Sequence, residues 1–263
     1  MTDVTLIQGD CLVEMPKLPS ASFDMICADL PYGTTACSWD VVIPFEPLWA
    51  EYKRLIKPRG AVVLFGSQPF TSLLVTSNLD WFRYEWVWYK SRNSNPFLAN
   101  LQPLRHHENI VVFGGDLYNP QMIYDRLGHV VNNGSGRVAS ENAGDKWNGV
   151  SETSYEKYPK SVIGFSNPSM AGMEHPTQKP VALLEYLIRT YTNEGDAVLD
   201  NTMGSGTAMV ACVKTGRRGT GIELRQDYFA IAQRRIAEAQ MQPRLFDDRQ
   251  PTPETMPLFG GEP

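Results

Sequence analysis

Two short, mostly apolar runs lie far apart in this chain, and each ends in an aspartate. Asp24-Met25-Ile26-Cys27-Ala28 runs into Asp29, and Ala197-Val198-Leu199 runs into Asp200. Continuous runs of this length suit strands buried on both faces, as in a parallel sheet covered by helices. Further strands are predicted at 4–8, 61–65, 84–89, 109–113 and 219–222, and helices near 44–56, 68–77, 180–192, 206–215 and 226–239. In the helix from Val181, apolar residues at 181, 184, 187, 188 and 191 share one face. In the last helix Tyr228, Ile231, Ala232 and Ile236 do the same, with Arg234, Arg235 and Glu238 outward. Strands alternating with helices predict an α/β fold with a mostly parallel sheet and helices on both faces. Ligands of such sheets bind beyond the carboxyl ends of the strands.

The first aspartate opens the segment Asp29-Leu30-Pro31-Tyr32. These residues suit a flat nucleobase: a carboxylate and the Leu30 carbonyl to accept from an amino group, a proline to stiffen the loop, and a ring to stack on. The same four residues also make an ordinary turn. The second aspartate opens Asp200-Asn201-Thr202-Met203-Gly204-Ser205-Gly206-Thr207, a strand end, a glycine loop and a helix start. A second strand follows and ends at Glu223, at a distance that suits an acid bonding ribose hydroxyls. The loop departs from the dinucleotide fingerprint, because Met209 stands at its third glycine position, and from the phosphate loop, because no lysine stands beside Gly206. Asp200 would repel a pyrophosphate and suits a cation. S-adenosylmethionine (SAM), with a sulfonium, an ammonium and a ribose, fits better than NAD or ATP.

Together the two motifs resemble the DNA amino-methyltransferases, which modify the exocyclic nitrogen of adenine or cytosine. The tetrapeptide precedes the SAM loop, an order similar to the circularly permuted beta class. Gly9-Asp10-Cys11 resembles the segment that contacts the SAM adenine. His175-Pro176-Thr177-Gln178-Lys179-Pro180 resembles the motif that helps hold the methionine end, Gly60 to Gly66 a core strand, and Arg105-His106-His107-Glu108 before 109–113 another. The resemblance spans roughly residues 4 to 114 and 174 to 238. It departs at Leu30, where proline is usual, and at Met203, where an aromatic contact with the cofactor is usual. The resemblance implies a Rossmann-like SAM-dependent methyltransferase fold. Asp29, Leu30, Pro31 and Tyr32 would be the catalytic residues. Asp10, Cys11, Lys179, Asp200, Asn201, Met203, Gly204, Ser205, Gly206, Thr207 and Glu223 would surround the cofactor.

The implied organisation is a catalytic half at 1–114, a target-recognition insert at 115–172, a SAM-binding half at 173–241 and a disordered tail from 242. The insert is rich in Gly, Asn, Ser and Tyr. The tail is Pro-rich and acidic, and its pairs Leu245-Phe246 and Leu258-Phe259 resemble peptides that dock on the bacterial sliding clamp. Double-stranded DNA is the expected partner, with a homodimer as a family habit. The net charge of −5 places any DNA-facing surface in a local patch. Arg83, Lys90, Arg92 and Arg105 interleave with Trp81, Trp86, Trp88 and Tyr89, and Arg137 lies in the glycine-rich insert. The interleaved segment suits DNA, and equally an edge strand with aromatic packing beneath it. Four scattered cysteines without a CxxC pair point away from zinc and disulfides and toward a reducing cytoplasm, and no signal peptide or membrane-spanning run is expected. No metal is required.

The chemistry implied is transfer of the SAM methyl group to the N6 of a flipped adenine, because Asp at the first motif position goes mainly with adenine in the family. An N4-cytosine methyltransferase, an enzyme acting on RNA or protein glutamine, and a non-catalytic DNA-binding protein that retains SAM are the alternatives.

Overall fold

The computed structural model describes residues 3–34, 40–133, 150–167 and 178–242. Two units are distinct, one formed by the chain up to Asn119 and from Ser161 onward, the other by Pro120–Lys160. In chain order the elements are β1 (Val4–Gln8), α1 (Cys11–Glu14), β2 (Phe23–Ala28), α2 (Phe45–Leu55), β3 (Ile56–Gly66), α3 (Phe70–Thr76), β4 (Phe82–Lys90) and β5 (His107–Gly114). These are followed by β6 (Ile123–Asn133), β7 (Val150–Lys157), β8 (Val162–Phe165), α4 (Val181–Tyr191), β9 (Ala197–Asp200), α5 (Thr207–Thr215), β10 (Arg218–Glu223) and α6 (Gln226–Met241).

The first unit is built on an eight-stranded sheet in the order β1-β10-β9-β2-β3-β5-β4-β8. Only β5 runs against its neighbours; every other described pairing in this sheet is parallel. Strand alternation divides the core into two layers. Met25 and Cys27 of β2 and Ala61, Val63 and Phe65 of β3 pack with α4, α5 and α6. Ile26 and Ala28, with Val62 and Leu64, pack on the other face with Leu48, Trp49, Tyr52 and Leu55 of α2 and with Phe70 and Leu74 of α3. Both faces of the sheet are therefore covered, which is why β2 and β9 read as unbroken apolar runs.

All seven predicted strands and all five predicted helices are present, displaced by a few residues at their ends. Four elements, α1, β6, β7 and β8, fall where no regular structure was expected. α1 is a single turn whose N-cap Asp10 accepts from Leu12 N at 2.8 Å. β8 joins the far edge of the sheet beside β4, where Trp88 Nε1 donates to the Phe165 carbonyl at 2.9 Å. The second unit is an antiparallel hairpin, β6 with β7, in which Tyr124 and Tyr155 stack with centroids 6.4 Å apart. Among the described residues no helix is long and apolar enough to cross a membrane.

The aromatic residues of β4 belong mostly to the core. Trp86 and Trp88 are buried, and Trp86 Nε1 donates at 2.6 Å to the hydroxyl of Tyr191 on α4. Tyr191→Phe leaves that indole N–H buried without an acceptor, a cost of about 1–3 kcal/mol. Thermal denaturation is expected to show a lower Tm by roughly 2–4 °C per kcal/mol for a chain of this size. An unchanged Tm would mean that the bond contributes nothing to holding α4 against the sheet.

Candidate active site

The carboxyl ends of the parallel strands open into a cavity of about 1200 Å³. That exceeds the roughly 300–1,000 Å³ of a typical small-molecule site, which leaves volume for more than one small ligand. The chain leaves β9 toward β10 on one side and leaves β2 toward β3 on the other, while β9 and β2 are themselves adjacent. This is the switch point at which open α/β sheets bind ligands. Asp200 closes β9 and Asp29 follows β2, so the topology alone brings the two motifs together. Thr202 Oγ1 donates to the Asp29 carbonyl at 3.1 Å and ties one loop to the other.

Around Asp29 the geometry is tightly specified. Tyr32 OH donates to Oδ1 at 2.7 Å, and Lys179 Nζ lies 2.6 Å from Oδ2. The Tyr32 ring stacks on Phe70 at 4.9 Å and 24°, so Phe70 backs one of its faces. Beyond Tyr32, the Asp40 carboxylate accepts from Gly33 N at 2.8 Å and Thr34 N at 2.9 Å and shapes the loop. Leu30 is buried in the core and borders the cavity. Pro31 lines it as well.

On the other side, the Glu223 carboxylate accepts from Gly204 N at 2.9 Å and from Arg225 N at 2.8 Å, which pins the glycine loop to the end of β10. Ser205 is held by Arg235, whose Nη1 donates to its carbonyl at 2.6 Å and its Oγ at 2.8 Å and reaches Thr207 Oγ1 at 3.3 Å. Arg235 therefore turns inward to brace the loop, where an outward direction was expected. Met203 borders the cavity, but its thioether packs on Gly221, where a Cβ would overlap Sδ. Asn201 Oδ1 accepts from the buried Tyr52 hydroxyl at 2.6 Å. Among the described residues, Asn201 Nδ2 and Gln178 Oε1 are buried at this cavity without a partner. Two such orphaned polar atoms are the kind of group a ligand satisfies.

Electrostatically the cavity is rich in acceptors. Asp10, Cys11, Asp29, Asp200 and Glu223 all line it. Burial pushes Asp200 up to about 8, helped by Asp29 and Glu223 and opposed by the N–H of Thr202. Burial also raises Asp29, against the lowering pull of Lys179. Burial raises Glu223 too, against its two backbone donors. Acids held out of water in this way favour a cationic ligand, which restores their ionised form. Among the described residues no group of three or more His, Cys, Asp or Glu could hold a metal ion.

Two residues expected to face DNA are held in ion pairs within the protein. Lys90 is buried, with Nζ 2.8 Å from Glu108 Oε1, because the face of β4 that carries Trp86 and Trp88 also carries Lys90. Arg83 sits at the opposite end of β4 from the cavity and pairs with Asp116 at 3.0 Å. Arg92 and Arg105, on the loop between β4 and β5, do border the cavity, and Arg105 Nη1 donates to Ser67 Oγ at 2.9 Å. Gly206 does not border it: its positive φ of 78° starts α5, and a Cβ there would press on Ala232 of α6. Arg137 and both Leu-Phe pairs of the tail lie outside the described residues. Glu108 is the site residue that sequence reasoning missed. It appeared there only as part of a strand motif, and the ion pairs that give it meaning are long-range.

Comparison with known proteins agrees with this architecture. The N6/N4 methyltransferase model, described as DNA methylase, matches residues 23–234. The chain belongs to the DNA methylase family. Among its relatives is the DNA adenine methyltransferase YhdJ of Escherichia coli, 30% identical over 257 residues that cover 88% of this chain and 82% of YhdJ. The type II methyltransferase M.HpaI of Haemophilus parainfluenzae is 29% identical, covering 89% of this chain and 74% of that protein. The PvuII cytosine-N4-specific DNA methyltransferase shares the fold with a TM-score of 0.63 at 14% identity, over 91% of this chain and 92% of that one. A solved SAM complex of M1.HpyAVI has a TM-score of 0.59 at 24% identity, over 89% and 98% respectively.

In the ligand-free methylase, Asp200 carries a pH dependence with a definite sign. Its carboxyl is raised from the ordinary range to about 8 in the fold. The stability it contributes is full below pH ~4 and lost as pH rises toward 8. Asp200→Asn keeps an acceptor for Thr202 N but cannot ionise. Its stability relative to wild type is expected to improve between pH 5 and pH 9 by on the order of a few kcal/mol. Parallel melting curves at the two pH values would refute this.

Proposed function

We propose that this chain methylates the exocyclic N6 of an adenine flipped out of double-stranded DNA, with SAM as the methyl donor. The observation that carries the proposal is the placement of Asp29 and Asp200 on adjacent strands over one cavity. A base acceptor and a cation-binding loop thereby face each other. SAM fits the acids of this cavity: its ammonium and sulfonium suit Asp200, its ribose hydroxyls suit Glu223, and the unpartnered Asn201 Nδ2 and Gln178 Oε1 are left for ligand atoms. Its chemistry is one methyl group on a sulfonium.

Tyr32 provides the platform for the base. Stacking on an aromatic ring returns about 1–3 kcal/mol per base, comparable to the few kcal/mol that flipping costs. Both Asp29 oxygens already hold one hydrogen bond, and each keeps a lone pair that can accept an amino hydrogen. Oriented this way, the amino nitrogen places its lone pair on the methyl carbon. The carbon–sulfur pair stays with sulfur, and the positively charged nitrogen then gives up one proton to Asp29 or to water. Asp29 stabilises the developing charge through a preorganised contact. Arg92 and Arg105 would meet phosphates at the mouth, and the β6–β7 hairpin would read the target sequence, as the family position of that segment suggests. The specific alternative is N4 of cytosine, since the PvuII enzyme of the same fold is named for it.

The deciding experiment incubates unmethylated DNA with the protein and isotope-labelled SAM and analyses nucleosides by mass spectrometry. Labelled N6-methyladenine is expected. Labelled N4-methylcytosine would overturn the base and keep the site, and an unlabelled product pool would refute the reading. Asp29→Ala is expected to abolish turnover while SAM still binds. Arg105→Ala is expected to weaken DNA binding across sequences and to lower the salt dependence by about one phosphate contact.

A further inference from the structure

The most organised feature of the site that the proposed chemistry leaves unused is a row of buried charges of alternating sign. Lys179 Nζ lies 2.6 Å from Asp29 Oδ2 and 3.3 Å from Glu108 Oε2. Glu108 Oε1 lies 2.8 Å from Lys90 Nζ, which also donates to Ser94 Oγ. The Lys179 side chain is only 10% exposed, and its ammonium stands 5.2 Å from the centre of the Phe65 ring. Three separate strands supply the partners: Asp29 follows β2, Glu108 is on β5, and Lys90 ends β4.

We propose that Lys179 serves as the counter-ion of Asp29, clamped by Glu108, and is a positioning residue for the catalytic carboxylate instead of an anchor for the cofactor. The inference deepens the reading of Asp29 as the group that receives the target amine, and rests on it. Charge balance supports it. Asp29, Lys179, Glu108 and Lys90 sum to zero, so the row attracts no further anion, and the carboxylate of a methionine end gains little by approaching. The same row is what makes an ionised Asp29 tolerable away from water, because a buried charge persists when it is paired and hydrogen-bonded.

The titratable groups facing Asp29 are Tyr32 on its own loop, Cys27 on β2, Lys179 before α4, Glu108 on β5 and Asp200 at the end of β9. Lys179 is the one cation in this set. Burial and Glu108 favour a protonated Asp29, and Lys179 opposes them, with a smaller pull from the Tyr32 hydroxyl. Burial penalises Glu108 as well, yet Lys179 and Lys90 together hold it below the usual carboxylate range. Without Lys179, Asp29 is shifted toward its protonated form. It then has fewer acceptor sites for the amine and no charge to set against the cationic nitrogen.

The test is the pH profile of kcat at saturating DNA and SAM, with SAM affinity measured separately by calorimetry. Lys179→Met is expected to lower kcat at least tenfold at neutral pH and to move the acid limb to higher pH by a unit or more. Activity should therefore recover partly in alkali, and SAM affinity should change less than about threefold, under 0.7 kcal/mol. Lys179→Arg is expected to return the limb close to its wild-type position, and it carries the test if the Met variant does not fold. A large loss of SAM affinity with the acid limb in place would overturn the proposal and return Lys179 to the cofactor. Asp29→Asn separates the two levels. If it keeps turnover, the reading of the catalytic group fails. If it is inactive and the limb of the Lys179 variants stays put, only the counter-ion is lost.

Discussion

A mostly parallel sheet collects its strand ends at one edge, and in this chain those ends are acidic. Asp10 follows β1, Glu223 ends β10, Asp200 ends β9 and Asp29 follows β2, which are four consecutive strands. Glu108 enters the same edge from the start of the reversed strand β5. Burial raises Asp29, Asp200 and Glu223, and neighbouring carboxylates add to the penalty. Each acid is consequently given a partner. Asp10 caps α1, Glu223 takes two backbone N–H groups, Asp200 takes the N–H of Thr202, and Asp29 and Glu108 share Lys179. The least compensated is Asp200, and its carboxyl rises furthest, to about 8. A cationic ligand completes this arrangement, where an anion would not.

Much of this was legible in the sequence because its signals are local. Continuous apolar runs in β2 and β9, the aspartates that close them and the glycine loop all lie within a few residues of one another. What stayed hidden depends on distant partners. β8 is four residues long and owes its existence to pairing with β4, far earlier in the chain. Lys90 shows the same limit from the other direction. Alternation along β4 puts Trp86, Trp88 and Lys90 on one face, and that period-two pattern was present to be read. Whether the face meets DNA or core is settled by α4 and by Glu108, which no local pattern contains. The contact between Lys179 and Asp29 spans 150 positions of the chain.

The departure at Met203 has a packing account of the same kind. Its thioether rests on Gly221 of β10, with Met209 also close to that glycine. Two flexible sulfur-bearing side chains fill the space above a residue that has none. Met203 N donates to the Ile222 carbonyl at 3.0 Å, so the loop is tied to the neighbouring strand by its backbone. Gly204 N–H is in turn committed to Glu223. The loop's shape is set by these internal bonds, and an aromatic ring at 203 is not needed to hold it.

On net charge alone, −5, an acidic chain that acts on DNA opposes its own substrate. The arrangement of charges removes the conflict. The acids of the sheet edge are buried or bonded within the cavity and are spent on one another's compensation, on Lys179 and on a cationic ligand. Exposed charge at the mouth comes from Arg92 and Arg105, which border the same opening. Phosphates meet the rim before the interior, and a screened charge loses its reach beyond about 8–10 Å at physiological salt. Attraction at the rim and acceptance at the floor can therefore coexist in one cavity. A base that leaves the duplex passes from guanidinium groups at the mouth to a carboxylate held ready by its own counter-ion.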